Sequence, residues 1–345
     1  MNKKQDALVP VFGALCFFLS AVEFIIPKPL PFLRIGLANV PLMLALDIVS
    51  FPAFLLLALI KILGQAIISG TLFSYLLLFS AAGTLGAAFT MYLLRGIPKK
   101  LLSLAGISVA GACVSNTLQL IIGRFFIFGE GIWYIMPPFL CIGAVTSLLL
   151  GIFCEQFKSE SEWYAEVNRE ESFFSLDLPL NTGASKYSGL RLGVGCILML
   201  LLLFMQGITA KLVIFAASLL LCAGEKKKIH WVPLLVSSFG IILCHGLIPM
   251  GKELVSVLGF PITSGALLTG LEKAAVLQAM IHISRWMITA HIHIPGPFGT
   301  VLEESLYIFK QLAEFQHRIT LKRLITGLDE LLLSIPYIVK HPEMR

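Results

Sequence analysis

Ten long apolar runs dominate the chain, and their length is the feature that most constrains its fold. A helix needs roughly 20 apolar residues to cross the hydrocarbon core of a bilayer. Six runs precede a polar break and four follow it: residues 8–26, 36–50, 53–70, 72–94, 101–122, 134–154, 190–206, 211–223, 231–249 and 262–289. Only 13% of the residues are charged, whereas soluble domains carry about 25%. The sequence therefore predicts an all-α polytopic membrane helix bundle with about ten transmembrane helices.

The polar break divides the chain into three parts. Residues 155–189 are acidic and polar, so we expect a cytoplasmic linker between two membrane domains, at 1–154 and 190–345. In the first domain, Gly13 and Ala14 are each followed four residues later by phenylalanine. Close packing of the first helix through small residues is therefore not expected.

The end of the chain changes character. The last apolar run carries four polar groups, so part of it is expected outside the bilayer or along its surface: Glu272, Lys273, His282 and Arg285. From residue 295 onwards, Leu306, Phe309 and Leu312 recur at helical spacing among charged residues. This pattern predicts cytoplasmic amphipathic helices that lie on a surface or dock on a partner.

Basic residues between the runs predict the orientation, because lysine and arginine favour cytoplasmic loops. Three groups fall on one side of a ten-helix arrangement: Lys3 and Lys4, then Arg95, Lys99 and Lys100, then Lys226, Lys227 and Lys228. We expect a multi-pass protein of the bacterial cytoplasmic membrane with both termini in the cytoplasm. Arg34 then lies outside, against this rule, which indicates a functional role.

Polar side chains inside the apolar runs predict a binding site, because ionisable residues within membranes are usually functional. Lys61 and Gln65 are four residues apart and share one helix face. The expected substrate-binding residues are Arg34, Asn39, Lys61, Gln65, Asn116, Gln119 and Arg124. Together they suit the polar or anionic part of a small solute.

Structural explanations for the same residues stay open. Lys61 could contact a backbone carbonyl or Glu23, and Arg34 could reach the lipid headgroups. Asn116 and Gln119 could form hydrogen bonds between helices.

Other chemistry receives little support from the sequence. The seven cysteines form no CxxC pair, and the histidines fit no metal-ligand spacing, so we expect no metal site. No GxxxxGK[ST] loop occurs. We expect no directly bound cofactor and no nucleic-acid partner.

Three stretches carry a family resemblance: RIGLANVPLMLAL, the region from LIKILGQAIISG to FTMYLL, and GISVAGACVSNTLQLIIGR. Over residues 30–155 the chain resembles the Gx transporter family, also called heptaprenyl diphosphate synthase component I. That family is similar to the S components of energy-coupling-factor vitamin importers, six-helix proteins that bind a small ligand near the outer face. The resemblance implies that Arg34 and Asn39 line or cap an outward-facing pocket.

The second half resembles a shortened T component of the same importers, through its four apolar runs and the stretch 261–288. This resemblance implies that Arg285 couples the chain to cytoplasmic ATPase subunits, which would bind the ATP. The alternative is an interfacial arginine beside an anchoring Trp286.

Three functions remain open at this level. The first is a transporter component for a small vitamin-like or isoprenoid-related solute. The second is a membrane subunit of prenyl diphosphate synthesis. The chain contains no DDxxD motif, and carboxylate clusters are what magnesium requires, so we expect no catalysis. The third is a membrane assembly factor for a flavin- or quinone-dependent electron-transfer system.

Overall fold

The structure, a computed structural model, describes residues 3–26, 30, 33, 35–98, 100–168, 188–257, 260–288, 296–314 and 324–333. The first predicted domain, 1–154, contains α1 (Lys3–Ile25), α2 (Val40–Ala45), α3 (Phe51–Ser69), α4 (Leu76–Leu94), α5 (Leu104–Gly123) and most of α6 (Ile132–Glu160), and α7 (Glu162–Asn168) follows within the predicted linker. The second contains α8 (Ser188–Phe204), α9 (Ile208–Gly224), α10 (Trp231–Gly246), β1 (Glu253–Val257), β2 (Phe260–Thr263), α11 (Ser264–Met287), α12 (Pro297–Glu314) and α13 (Leu324–Leu333). The helical membrane fold agrees with the prediction, apart from the antiparallel hairpin of β1 and β2.

The number of long apolar helices is smaller than expected. Within the described residues, four helical segments are long and apolar enough to cross a membrane: Phe51–Ser69, Leu76–Leu94, Leu104–Glu160 and Ser264–Met287. The third of these contains both α5 and α6. Four shorter apolar helices accompany them: Leu8–Phe24, Gly189–Phe204, Ile208–Gly224 and Trp231–Gly246. The chain is therefore a membrane protein, and ten full crossings stay a prediction.

The apolar run 36–50 does not form a crossing helix. It folds as a short 3₁₀ turn, Leu37–Asn39, followed by the six-residue helix α2. Six residues span only about 9 Å at 1.5 Å per residue. Gly36 precedes the turn with φ +96°, a left-handed conformation that favours glycine. Hydropathy alone predicted a crossing helix here, and this prediction was wrong because the α-helix ends at Ala45 after only six residues.

The predicted linker begins inside regular structure. Helix α6 continues to Glu160, and α7 packs its side chains inward, with Trp163 only 1% exposed. Asp329 of α13 accepts hydrogen bonds from the backbone N–H groups of Glu162 and Trp163, both at 3.1 Å. Residues 155–168 are therefore packed helix rather than linker, and 169–187 lie outside the described residues.

The amphipathic end of the chain covers the first helix of the same chain. Residues Leu8 to Phe18 of α1 are at most 2% exposed, and the apolar face of α12 packs against them. The contact is closest at Gly13, where a Cβ atom would lie 2.6 Å from the Ser305 hydroxyl. A small residue on α1 therefore does permit close packing, contrary to expectation. The amphipathic face of α12 was expected to lie on a surface or dock on a partner. In the structure it packs on α1 of the same chain.

The two domains meet at the turn between α3 and α4. The backbone N–H of Phe73 donates to the Ser284 hydroxyl at 3.0 Å. At the other end of the interface, Phe128 packs against His245 with ring centroids 5.8 Å apart. The predicted orientation put the α3–α4 turn outside and the end of α11 in the cytoplasm. Because the two are in contact, the apolar runs do not form one bundle of parallel, upright crossings.

Candidate solute-binding site

Lys61 lies at the centre of the first domain and is 3% exposed. It sits midway along α3, where its ammonium group donates hydrogen bonds to the amide oxygen of Asn39 and, at 3.4 Å, to the Thr84 hydroxyl. A buried lysine requires such partners, because the charge is otherwise expensive to remove from water. The two partners come from the 3₁₀ turn and from α4, so Lys61 connects three elements.

A cavity of about 50 Å³, which we call the Lys61 cavity, surrounds these groups. It lies between the turn at 36–39 and helices α3, α4, α5 and α6. Five of the seven predicted substrate-binding residues line it: Asn39, Lys61, Gln65, Asn116 and Gln119. They come from separate parts of the first domain, so the structure brings together residues that the sequence connected only by their polarity.

Glu23 fixes the segment that carries Asn39. Its side chain is 2% exposed, and its carboxylate accepts the backbone N–H groups of Ile35, Gly36 and Leu37 at 2.9, 3.2 and 3.0 Å. Three consecutive backbone donors can converge on one carboxylate because Gly36 adopts its left-handed conformation. The sequence suggested Glu23 only as an alternative contact for Lys61 and did not predict that it holds the segment 35–37. Its position near the end of an apolar run was the available signal.

Glycines make space for the amides of α5. A Cβ atom on Gly143 would lie 1.9 Å from the side-chain nitrogen of Asn116, and one on Gly83 would lie 2.6 Å from that of Gln119. Gln119 also donates to the Ser115 hydroxyl at 2.9 Å. This hydrogen bond lies within α5, so the expected bonding of Gln119 between helices is not what it shows, whereas both amides line the cavity.

The two predicted arginines are placed differently. Arg124 forms an exposed ion pair with Glu130 at 2.6 Å and lies 5.8 Å from the ring centre of Trp133. The residues that line the Lys61 cavity do not include Arg124. Arg34 lies outside the described residues, so its expected place at the pocket stays a prediction.

A second, larger cavity of about 140 Å³ lies between α1 and α3 on one side and α10 and α11 on the other. We call it the interdomain cavity. Its lining includes Arg285, His230 and His282, while Glu23 and Gln65 line both cavities.

Arg285 packs against the first domain at Gly70. A Cβ atom on Gly70 would lie 1.9 Å from Cγ of Arg285, so only glycine permits this approach. Arg285 was expected to couple the chain to an ATPase. In the structure it contacts the first domain of the same chain, and its role in coupling stays a prediction. His291 and His293, two of the histidines whose spacing fits no metal site, lie outside the described residues.

Two family models match the chain. Residues 187–290 match a domain of unknown function. Neither a curated protein nor a solved structure matches the chain. Residues 12–157 match the model described as heptaprenyl diphosphate synthase component I. This match confirms the predicted resemblance and contains the described residues that line the Lys61 cavity. Residues 12–157 of this chain are therefore similar to the heptaprenyl diphosphate synthase component I family.

Proposed function

We propose that this chain is a membrane transporter component that binds a small polar solute in the Lys61 cavity. The observation that supports this proposal most strongly is the convergence of Asn39, Lys61, Gln65, Asn116 and Gln119 on one void. Isolated hydrogen bonds between helices would not require these side chains to share a space.

The lining defines the chemistry of the solute. The Lys61 ammonium group and the amide nitrogens of Asn116 and Gln119 can donate to a carbonyl, carboxylate or phosphate oxygen. Apolar side chains such as Phe79, Met43 and Met91 complete the wall. A cavity with a few directed polar groups in an apolar wall is typical of small-molecule sites. We therefore expect a vitamin-like or isoprenoid-related solute with one oxygen-rich end.

The present volume also predicts a movement. A cavity of 50 Å³ holds only about four water molecules. A larger solute therefore requires one wall to move. The segment 36–45 is the best candidate, because it contains only a 3₁₀ turn and a six-residue helix, and the Glu23 carboxylate holds its beginning.

Native mass spectrometry of the detergent-purified, full-length protein tests this proposal. We expect a co-purified small molecule in the wild type and its loss in Lys61→Met and in Asn39→Leu. Lys61→Met keeps the length of the side chain but removes the donor to Asn39 and Thr84, which costs about 1–3 kcal/mol for an unsatisfied buried group, so thermal unfolding is measured beside the wild type to establish that the variant is folded.

Arg124→Gln is the matched control, because it removes one positive charge outside the cavity. Retention of the same molecule by both cavity variants, at the occupancy of the control, would refute the assignment of the site.

Coupling to ATPase subunits through the second domain stays a prediction. Because Arg285 faces the interdomain cavity, we expect such a subunit to bind another part of that domain. Co-purification of an ATPase with the wild type and with Arg285→Gln would support coupling of this kind.

A second function is favoured by the description of the matching family. A membrane subunit of prenyl diphosphate synthesis would affect the turnover of farnesyl diphosphate by a soluble partner. If adding this protein changes that turnover, and Lys61→Met abolishes the change, the synthase role replaces transport. Co-purification with flavin-transferring enzymes would instead favour the assembly-factor role.

A further inference from the structure

We propose that the interdomain cavity is a second binding site, and that its ligand is a small oxyanion of the phosphate or diphosphate class. This site goes beyond the proposed solute site, because its principal residue, Arg285, belongs to the second domain and does not line the Lys61 cavity. The two sites can therefore succeed or fail independently.

Arg285 provides the central positive charge. Its side chain reaches the cavity across Gly70. Within the described part of the chain, no carboxylate lies at ion-pair distance from its guanidinium group. A planar guanidinium with five N–H donors suits two oxygens of one phosphate.

One neighbouring cation, Lys227, lies close to Arg285, and its ammonium nitrogen is also 3.5 Å from a carboxylate oxygen of Glu225. The Lys227 ammonium group contacts the backbone carbonyl of Arg285 and lies 3.0 Å from that of Ile288. His230 stands at the rim, with its ring 5.7 Å from that of Phe24. Burial and the charges of Arg285 and Lys228 lower the pKa of His230.

Hydroxyl groups and one imidazole add hydrogen-bonding capacity. Ser20, Ser69 and Thr71 line the cavity on the side of the first domain. On the opposite side, Nδ1 of His282 lies 2.7 Å from the carbonyl oxygen of Gln278. A carbonyl oxygen only accepts, so Nδ1 carries the hydrogen and Nε2 is the other polar atom of the ring.

Glu23 is the acidic residue among those that line the cavity. Its carboxylate oxygens accept three backbone N–H groups from residues 35–37. These donors disperse the negative charge toward the first domain. The formal charges of Arg285 and Glu23 cancel, but the Glu23 carboxylate is directed to backbone donors, so the guanidinium group is the charged group that a ligand can contact.

The size of the cavity agrees with a phosphate group. A volume of 140 Å³ holds about ten water molecules, which is close to the size of a diphosphate. Apolar side chains, including Phe24, Leu76 and Ile281, form another part of the wall. An alkyl chain attached to the phosphate could lie there, so the oxyanion could come from a free solute or from a lipid headgroup.

The test uses the full-length protein in a maltoside detergent, which contains no phosphate. Calorimetric titration with inorganic phosphate and with pyrophosphate measures binding of the free anion. Native mass spectrometry after addition of phosphatidylglycerol measures binding of the lipid. We expect binding in at least one arm, and Arg285→Gln should weaken it about tenfold or more, because hydrogen bonds to charged groups are strong.

Three further variants make the result interpretable. Arg285→Lys keeps the charge and the aliphatic stem, so it should fold like the wild type and bind with intermediate affinity. Arg124→Gln removes an arginine elsewhere and should leave binding unchanged. Lys61→Met should also leave it unchanged, which separates this site from the proposed solute site.

Each outcome decides the question. Arg285-dependent binding of phosphate or pyrophosphate supports a free anion, and Arg285-dependent enrichment of phosphatidylglycerol alone supports a lipid headgroup. No binding in either arm overturns the proposal. Equal binding by the Arg285→Gln and Arg124→Gln variants also overturns it.

Discussion

The two cavities differ in how their positive charges are held. In the Lys61 cavity the ammonium group already has two partners, Asn39 and Thr84, and the void is about 50 Å³. In the interdomain cavity the volume is about 140 Å³, and among the described residues no carboxylate pairs with Arg285. The Lys61 cavity lies within the first domain, whereas the interdomain cavity is formed by residues of both domains. We therefore expect a ligand of the Lys61 cavity to compete with the hydrogen bonds from Lys61 to Asn39 and Thr84. A ligand of the interdomain cavity would instead supply an acceptor for the Arg285 guanidinium group.

The wall that the cavities share provides the largest expected effect. Glu23→Gln replaces one carboxylate oxygen by an NH₂ group, which faces backbone donors and leaves at least one of them unpaired. We expect the free energy of unfolding to fall by about 2–3 kcal/mol, the cost of a buried unsatisfied group beside a former charge. Both the co-purified solute and oxyanion binding should be lost together, as measured by native mass spectrometry and calorimetry.

Glu155→Gln is the control for this change. The exposed Glu155 accepts a single backbone N–H, from Ala105 at 3.1 Å, so the variant should be close to wild type. If Glu23→Gln disturbs one cavity and spares the other, Glu23 does not act as a common wall.

Gly70→Ala should affect only the interdomain cavity. The added methyl group would overlap the Arg285 side chain, and the residue would be held at φ +72°. We expect a loss of about 1–2 kcal/mol from the left-handed backbone alone, together with loss of oxyanion binding. Thermal unfolding and calorimetry measure the two effects.

Gly129→Ala separates strain from steric overlap, because no atom lies within 4 Å of a Cβ atom built on Gly129. Its backbone, at φ +51° and ψ −131°, lies outside the left-handed region of Gly70 and is also unfavourable for alanine. It should lose stability without losing oxyanion binding. Equal oxyanion affinity in the two alanine variants would show that the Arg285 position is unimportant.

The smallest effect concerns His230. Burial lowers its pKa, and Arg285 and Lys228 lower it further. Arg285→Gln should therefore raise the pKa of His230 toward its ordinary value, which carbon-13 NMR of the labelled ring can follow. A histidine with a lowered folded pKa leaves stability intact above the unfolded pKa and reduces it as the pH falls below that value.

That loss of stability below about pH 6.5 should become smaller in Arg285→Gln. Arg124→Gln should leave the His230 titration unchanged. A His230 pKa that is the same in all three proteins would place Arg285 too far from the ring to provide the positive potential.

The sequence predicted the polar lining better than the path of the backbone. Lys61 and Gln65 repeat at helical spacing within an apolar run, and both line the cavity as expected. The run 36–50 has the composition of a crossing helix, but hydropathy does not register the left-handed Gly36 or the hydrogen bonds from Glu23. Asn39 therefore lines the Lys61 cavity from a 3₁₀ turn and not from the predicted crossing helix, and its role in binding a solute stays a prediction.

The interdomain cavity could not be foreseen from local patterns. Phe73 and Ser284, which join the two domains, are 211 positions apart in the sequence. No periodicity connects residues so far apart in the sequence. Gly70 likewise looks like an ordinary turn glycine in the sequence, which does not reveal that Arg285 packs against it. Arg285 was singled out through a family resemblance, and its contact with Gly70 depends entirely on tertiary packing. The amphipathic pattern of α12 likewise predicted an apolar face without indicating that α1 covers it.

The packing of α12 against α1 has a consequence for biosynthesis. The ribosome completes α1 first, but Ser305 is made about 290 residues after Gly13, a delay of roughly 15–60 s at 5–20 residues per second. During that interval the side of α1 that α12 covers in the finished protein has no partner. Nascent chains must therefore shield this surface with lipid, an insertase or a chaperone, and a stop codon before residue 297 would leave it permanently uncovered.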